Sequence, residues 1–206
     1  MSSISKKIIS VFGVTGSVGL STLEIIKSNT QNFIVDTLVS NNNVQGLIKA
    51  AKLLKPNLVI INNNEKFIEL KNALKDYEIT TACGTEAIID ASKRNVDILV
   101  AGISGFAGLN STINAIGSAN IIALANKESI VCAGPILLNK AKNSNSKIIP
   151  IDSEHNSLYQ ILINTDMDDV SKLIITGSGG PFRGFSSKKL ENVTLEDAIN
   201  HPIWDM

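Results

Sequence analysis

Only 4% of these 206 residues are aromatic, there are two cysteines and two arginines, and nineteen basic residues cancel nineteen acidic ones. Each scarcity excludes something. Without a basic excess or stacking rings there is no electrostatic or aromatic footprint for nucleic acid. Cys83 and Cys132 are far apart in apolar surroundings, with neither a metal-type nor a redox-type spacing, and are read as reduced core residues of a cytosolic protein. No apolar run reaches membrane-spanning length, and Met1 to Lys7 lacks a signal-peptide core, so the expectation is a soluble, cytoplasmic chain. The acidic stretch Asp166-Met167-Asp168-Asp169 lacks the glycine of a calcium loop and reads as solvated. What is plentiful is apolar: 44% hydrophobic residues are enough for a substantial core.

Those apolar residues fall into an alternation. Strand-like runs at 7–12, 33–39, 58–61, 79–82, 96–101, 121–124, 147–151 and 172–176 are separated by segments with helical spacing. The second helical segment shows it well: Val44, Leu47, Ile48, Ala51 and Leu54 share a stripe that Pro56 stops. Helices are also expected over roughly 108–117, from 126 to about Lys142, and over 157–163. Thr194 and Asp197 have capping-box spacing for a last short helix. Strands alternating with helices predict an α/β fold, a Rossmann-like doubly wound parallel sheet. A boundary near 145–150 divides a nucleotide-binding domain, 1–150, from the beginning of an α/β catalytic domain, 151–206, which is too short to be complete.

In such sheets ligands sit beyond the carboxyl ends of the strands, and the unusual clusters follow strands directly. Gly13, Gly16 and Gly19 end the first strand, where glycines admit a pyrophosphate and the next helix start supplies free N–H groups. The alternative is a glycine-rich turn without a ligand. After the second strand, where an acidic residue about 20 positions on would hold NAD ribose hydroxyls, stands Ser40-Asn41-Asn42-Asn43. Without a carboxylate there is no repulsion against a 2′-phosphate; without Arg or Lys that phosphate has no evident cation. Lys127, between Asn126 and Glu128, is either a helix-start ion pair or a group that polarises an anionic oxygen. Asp152 and Glu154 point the same way if the seventh strand extends through them, which suits a hard divalent cation; otherwise they belong to a helix cap. Ser178 lies in the glycine turn Thr176 to Pro181, and His201 precedes Pro202. Each is an ordinary turn or cap residue, or a phosphate contact.

Taken together, Gly13-Val14-Thr15-Gly16-Ser17-Val18-Gly19, Leu124-Ala125-Asn126-Lys127-Glu128-Ser129, Asp152-Ser153-Glu154-His155-Asn156 and Thr176-Gly177-Ser178-Gly179-Gly180-Pro181-Phe182, with His201-Pro202 and Trp204, resemble the 1-deoxy-D-xylulose 5-phosphate reductoisomerase family in content and order. The first motif is generic; the middle three in combination are specific. The resemblance implies that Thr15, Gly16, Ser17 and Val18 hold the NADPH phosphates and that Asn43, Asn126 and Glu128 touch other parts of the cofactor. It assigns Asp152 and Glu154 to Mg²⁺ or Mn²⁺. Lys127, Ser153, Glu154, Ser178 and His201 become the catalytic and substrate-holding set. The implied reaction, in non-mevalonate isoprenoid biosynthesis, rearranges 1-deoxy-D-xylulose 5-phosphate and reduces the resulting aldehyde with hydride, giving 2-C-methyl-D-erythritol 4-phosphate; the full-length enzyme is expected to be a homodimer.

Two departures qualify this. Asn41 and Asn42 stand where many members have Gly followed by a basic residue; Asn tolerates a left-handed backbone, so the turn survives while the basis of NADP selectivity changes. The family's chains are also longer, and the third metal carboxylate, a Ser-Asn-Lys phosphate group and a C-terminal helical domain have no counterpart here, so the chain is expected to be inactive alone. The rival readings are a non-catalytic NADP-binding module and another NADP-dependent oxidoreductase such as a semialdehyde dehydrogenase, whose nucleophilic cysteine Cys132, inside a predicted helix, is poorly placed to supply.

Overall fold

The structure, a computed structural model, describes residues 5–177 and 179–202. Seven strands alternate with helices: β1 Lys7–Phe12, α1 Ser17–Ser28, β2 Phe33–Ser40, α2 Val44–Leu54, β3 Leu58–Ile61, α3 Phe67–Ala73, β4 Thr80–Cys83, α4 Gly84–Ser92, β5 Val96–Ala101, α5 Leu109–Ala115, β6 Ala119–Leu124, α6 Lys127–Lys142 and β7 Lys147–Pro150. The strands form one sheet in the order β4-β3-β2-β1-β5-β6-β7, and every pairing is parallel. The chain therefore winds outward from β1 to one edge, then returns to β5 and winds to the other. That reversal makes the gap between β1 and β5 the topological switch point. The chain divides into two compact units, Met1–Asp152 and Ser153–Met206.

Both faces of the sheet are covered. Alternate residues of one strand join different apolar clusters: Phe12, Ile60 and Leu99 pack with Ile122 and Leu137, whereas Val11, Val59, Ile61 and Val100 pack with Leu47 and Leu70. This two-sided burial is why the strands read as continuous apolar runs rather than alternating ones. The predicted stripe of α2 is the buried one, with Val44, Leu47, Ile48 and Ala51 inside. Lys55 ends α2 in the left-handed region at φ 47° just before Pro56. Neither Asn41 nor Asn42 takes a positive φ, so the β2–α2 turn closes without a left-handed residue.

Two expectations fail and a third shifts. Cys132 is exposed rather than core, because α6 buries the i, i+4 row Ser129, Ala133, Leu137 and Ala141, and position 132 is off that row. The run 172–176 forms no strand among the described residues: Leu173, Ile174 and Ile175 are 50%, 70% and 65% exposed, and a strand requires a neighbour with which to share its ladder. The helix expected over 157–163 begins four residues earlier, as α7 Ser153–Leu162. It belongs to the second unit, with α8 Ser187–Leu190 and α9 Leu195–Ile199, and none of these three helices buries a residue. α9 does start with the expected capping box, Thr194 and Asp197 bonding reciprocally; the Thr194 N–H holds the Asp197 carboxyl below its usual range.

Candidate cofactor site

The β1–α1 turn is shaped by close backbone approach. Gly13 sits at φ 87°, and a Cβ there would lie 2.4 Å from the Gly102 carbonyl oxygen. A Cβ on Gly19 would lie 2.3 Å from the Gly13 carbonyl oxygen, so the first turn of α1 rests directly on the strand end. Gly16 is different: its φ of −82° and ψ of 173° suit any residue, and a Cβ would meet nothing closer than 3.4 Å. Gly16 is the N-cap of α1 and supplies no side-chain cap, and the first turn carries no acidic residue. The leading N–H groups of a twelve-residue helix are thus left for an anion, with the positive end of the helix dipole behind them.

Beyond this turn lies a cavity of about 580 Å³, within the size range of small-molecule sites. Gly13, Thr15 and Gly16 form one side and Gly102, Ile103 and Ser104 the other, which places it at the switch point. Thr15 and Ser40 hydroxyls are 2.7 Å apart and tie the turn to the end of β2. Farther out the wall is polar. Asn62 donates to the Asn41 side-chain oxygen at 2.9 Å, and Thr85 donates to the Asn62 side-chain oxygen at 3.2 Å, linking the ends of β2, β3 and β4. Ile88, Ile89 and the largely exposed ring of Phe106 supply an apolar surface. A second depression, about 710 Å³ and lined by residues including Ile116, Pro135 and Lys140, is at the amino edge of β6 and β7, away from the strand ends where ligands bind.

Of the residues singled out for the cofactor, Thr15 and Gly16 line this cavity. Ser17 and Val18 open α1 beside them. Asn43 spends its side-chain oxygen as the N-cap of α2, accepting from the Gly46 N–H at 2.9 Å. Asn126 is 3% exposed. Its amide donates to the carbonyls of Ile103 and Gly105 at 2.6 and 2.8 Å, and its oxygen accepts from the Ser129 N–H at 3.0 Å. It therefore fastens the 103–105 loop to the start of α6. Lys127 and Glu128 are exposed in the first turn of that helix, and no ion pair joins them among the described residues. Asn62, Thr85, Ile88, Ile89 and Phe106 are not named from the sequence; a polar residue directly after the third strand, and one just past the glycine that follows the fourth, was the available signal for the first two.

The remaining predicted residues lie farther along the chain. β7 ends at Pro150 and does not extend through Asp152 and Glu154, so the same-face strand geometry is not formed. Asp152 precedes α7, while Ser153 and Glu154 are in its first turn, where a carboxylate is favoured by the dipole. Among the described residues no group of three His, Cys, Asp or Glu side chains is arranged to hold a metal ion. His201 follows α9, and Ser178 and Trp204 lie outside the described residues. No described helix is long and apolar enough to cross a membrane.

Comparison with known proteins gives the site its context. The family model for 1-deoxy-D-xylulose 5-phosphate reductoisomerase matches residues 9–134, and the model for the C-terminal domain of that enzyme matches 148–206. The reductoisomerase of Nitrobacter winogradskyi is 41% identical over 198 residues, 96% of this chain and 49% of the relative. That of Porphyromonas gingivalis is 41% identical over 202 residues, 98% and 52% respectively. Among solved structures, the Zymomonas mobilis enzyme in complex with NADPH superposes with a TM-score of 0.91 at 37% identity, covering 96% of this chain and 52% of the other. A reductoisomerase complexed with NADPH, fosmidomycin and magnesium gives 0.85 at 35% identity, covering 97% and 52%. The chain spans about half the length of the curated relatives it matches. With a nucleotide-type turn at the switch point of a parallel sheet and family matches along nearly its whole length, this chain belongs to the 1-deoxy-D-xylulose 5-phosphate reductoisomerase family.

Proposed function

We propose that residues 1–150 form the NADPH-binding domain of a reductoisomerase and that 151–206 begin its catalytic domain. The carrying observation is the uncapped, acid-free start of α1 at the mouth of the switch-point cavity. The donor set fits a dinucleotide: N–H groups of Ser17, Val18 and Gly19 for the pyrophosphate, the Thr15 hydroxyl beside them, and the Ile88, Ile89 and Phe106 surface for a flat ring. When bound, NADPH supplies the hydride for reducing an aldehyde. The chain's residues hold and orient it. Asn126 does so indirectly by fixing the 103–105 loop, and Glu128 and Asn43 from neighbouring helix starts.

Asp152 and Glu154 are proposed as carboxylates for Mg²⁺ or Mn²⁺. Without a third such ligand grouped with them among the described residues, they do not make a complete site. Lys127, Ser153, Ser178 and His201 are proposed to hold a phosphorylated sugar, 1-deoxy-D-xylulose 5-phosphate, in a cytoplasmic enzyme that is a homodimer at full length. The test is NADPH titration beside NADPH oxidation with that sugar and Mg²⁺. Binding without turnover is expected of the 206 residues, and robust turnover would show that the described carboxylates suffice. In a full-length protein carrying this half, Asp152→Asn should cripple turnover and spare NADPH binding; equal loss of both counts against the metal role.

A further inference from the structure

Resting on the NADPH reading above, we propose that this cavity accepts the adenosine ribose through neutral amides, so that the chain discriminates NADPH from NADH only weakly. The end of β2 is where a doubly wound sheet meets the ribose. Here it carries Ser40, Asn41, Asn42 and Asn43, with neither an acid nor a base. The Asn41 oxygen is engaged by Asn62, whose own oxygen is engaged by Thr85, which leaves the NH₂ of Asn41 as its donor. Asn41, Asn62 and Thr85 all line the cavity. An amide donor bonds a ribose hydroxyl oxygen or a phosphate oxygen alike. Among the described residues that line the cavity there is no carboxylate to repel a 2′-phosphate, as one would in an NAD-selective site. Nor does that lining include a guanidinium or ammonium to give the phosphate a charge-assisted bond. Lys66, on the helical segment that follows Asn62, lies 4.0 Å from Glu69, i to i+3.

A charge-assisted bond in place of a neutral one is worth about tenfold in affinity or more, and its absence sets the expectation. Dissociation constants for NADPH and NADH, measured by reduced-nicotinamide fluorescence, should agree within about tenfold. Asn42→Arg, at an exposed turn residue, should raise the NADPH:NADH ratio by about tenfold or more. Asn41→Asp keeps the acceptor for Asn62 and should lower that ratio by a similar factor. Lys66→Ala should leave it unchanged. A native preference for NADPH above about a hundredfold, or its collapse in Lys66→Ala, overturns the proposal by showing a cation on the phosphate. Ratios unmoved by both asparagine variants overturn the placement of the ribose. Failure of both nucleotides to bind refutes the underlying NADPH reading, an outcome distinct from tight, selective NADPH binding.

Discussion

Replacing Asn126 with alanine separates two roles for a residue at the edge of the cofactor cavity. If its side chain is an internal fastener, the loss is large and structural. The N-cap bond to the Ser129 N–H is worth about 1 kcal/mol. The two bonds to the Ile103 and Gly105 carbonyls add about 1 kcal/mol each. The sum, about 3 kcal/mol, is a large part of the stability of a domain this size. It should appear as a lower urea midpoint by far-ultraviolet circular dichroism, with weaker NADPH binding because Ile103 and Ser104 line the cavity. The same contact predicts a coupling. A Cβ on Gly108 would lie 2.3 Å from the Asn126 amide nitrogen and 2.4 Å from the Ile103 oxygen. Gly108→Ala should therefore be costly alone and less so alongside Asn126→Ala, where one of those two clashes is gone. An unchanged urea midpoint in Asn126→Ala, with NADPH affinity lost, would refute the reasoning and make the amide a direct cofactor contact.

Other expectations follow from the same geometry. Gly19→Ala forces a Cβ against the Gly13 carbonyl and Val14 backbone and should lower stability by about 1–3 kcal/mol, measured by urea denaturation, and weaken NADPH binding. Arg94 makes two 2.7 Å bonds to the buried Asp36; Arg94→Met strands that carboxylate and should cost roughly 2–3 kcal/mol, discounted for the partial exposure of Arg94. Burial pushes the Asp36 carboxyl up, but the bonds from Arg94, Asn57 and Thr37 outweigh it and hold it below its usual value. A depressed carboxylate stabilises above the unfolded pKa, about 3.9, and loses that contribution as pH falls through the lower folded value. The difference in urea midpoint between native chain and Arg94→Met should thus be full at pH 7 and shrink in strong acid; a constant difference would contradict the pairing.

The sheet was legible because two-sided burial writes each strand as an apolar run: residues 7–12, 58–61 and 96–101 matched to the residue. Residues 172–176 carry the same pattern, yet pairing is a property of two segments and cannot be read from one. Ser153 to Asn156 were equally ambiguous. A polar, acidic run after a strand serves as a metal-facing extension or as a helix start, and the favourable place of Glu154 in a first turn decides for the helix. The turn at Gly13 to Gly19 was legible because Gly13 and Gly19 answer to backbone distances. The outer wall was not: Asn62 and Thr85 join Asn41 only through the parallel register that sets β2, β3 and β4 side by side. Asn126, named from its motif, is seated by burial as a fastener.

The start of α1 is open for a cofactor phosphate, and Gly16→Asp closes it. Asp is a favoured N-cap, and the φ of −82° with no contact nearer than 3.4 Å admits it. It would place a negative charge where the pyrophosphate is expected. In parallel titrations followed by nicotinamide fluorescence and urea denaturation, the native chain should bind NADPH one to one. The variant should be at least as stable, by up to about 1 kcal/mol, and bind more than tenfold more weakly. Undiminished binding by a stable variant, or no binding by the native chain, would show that the start of α1 does not hold the phosphate.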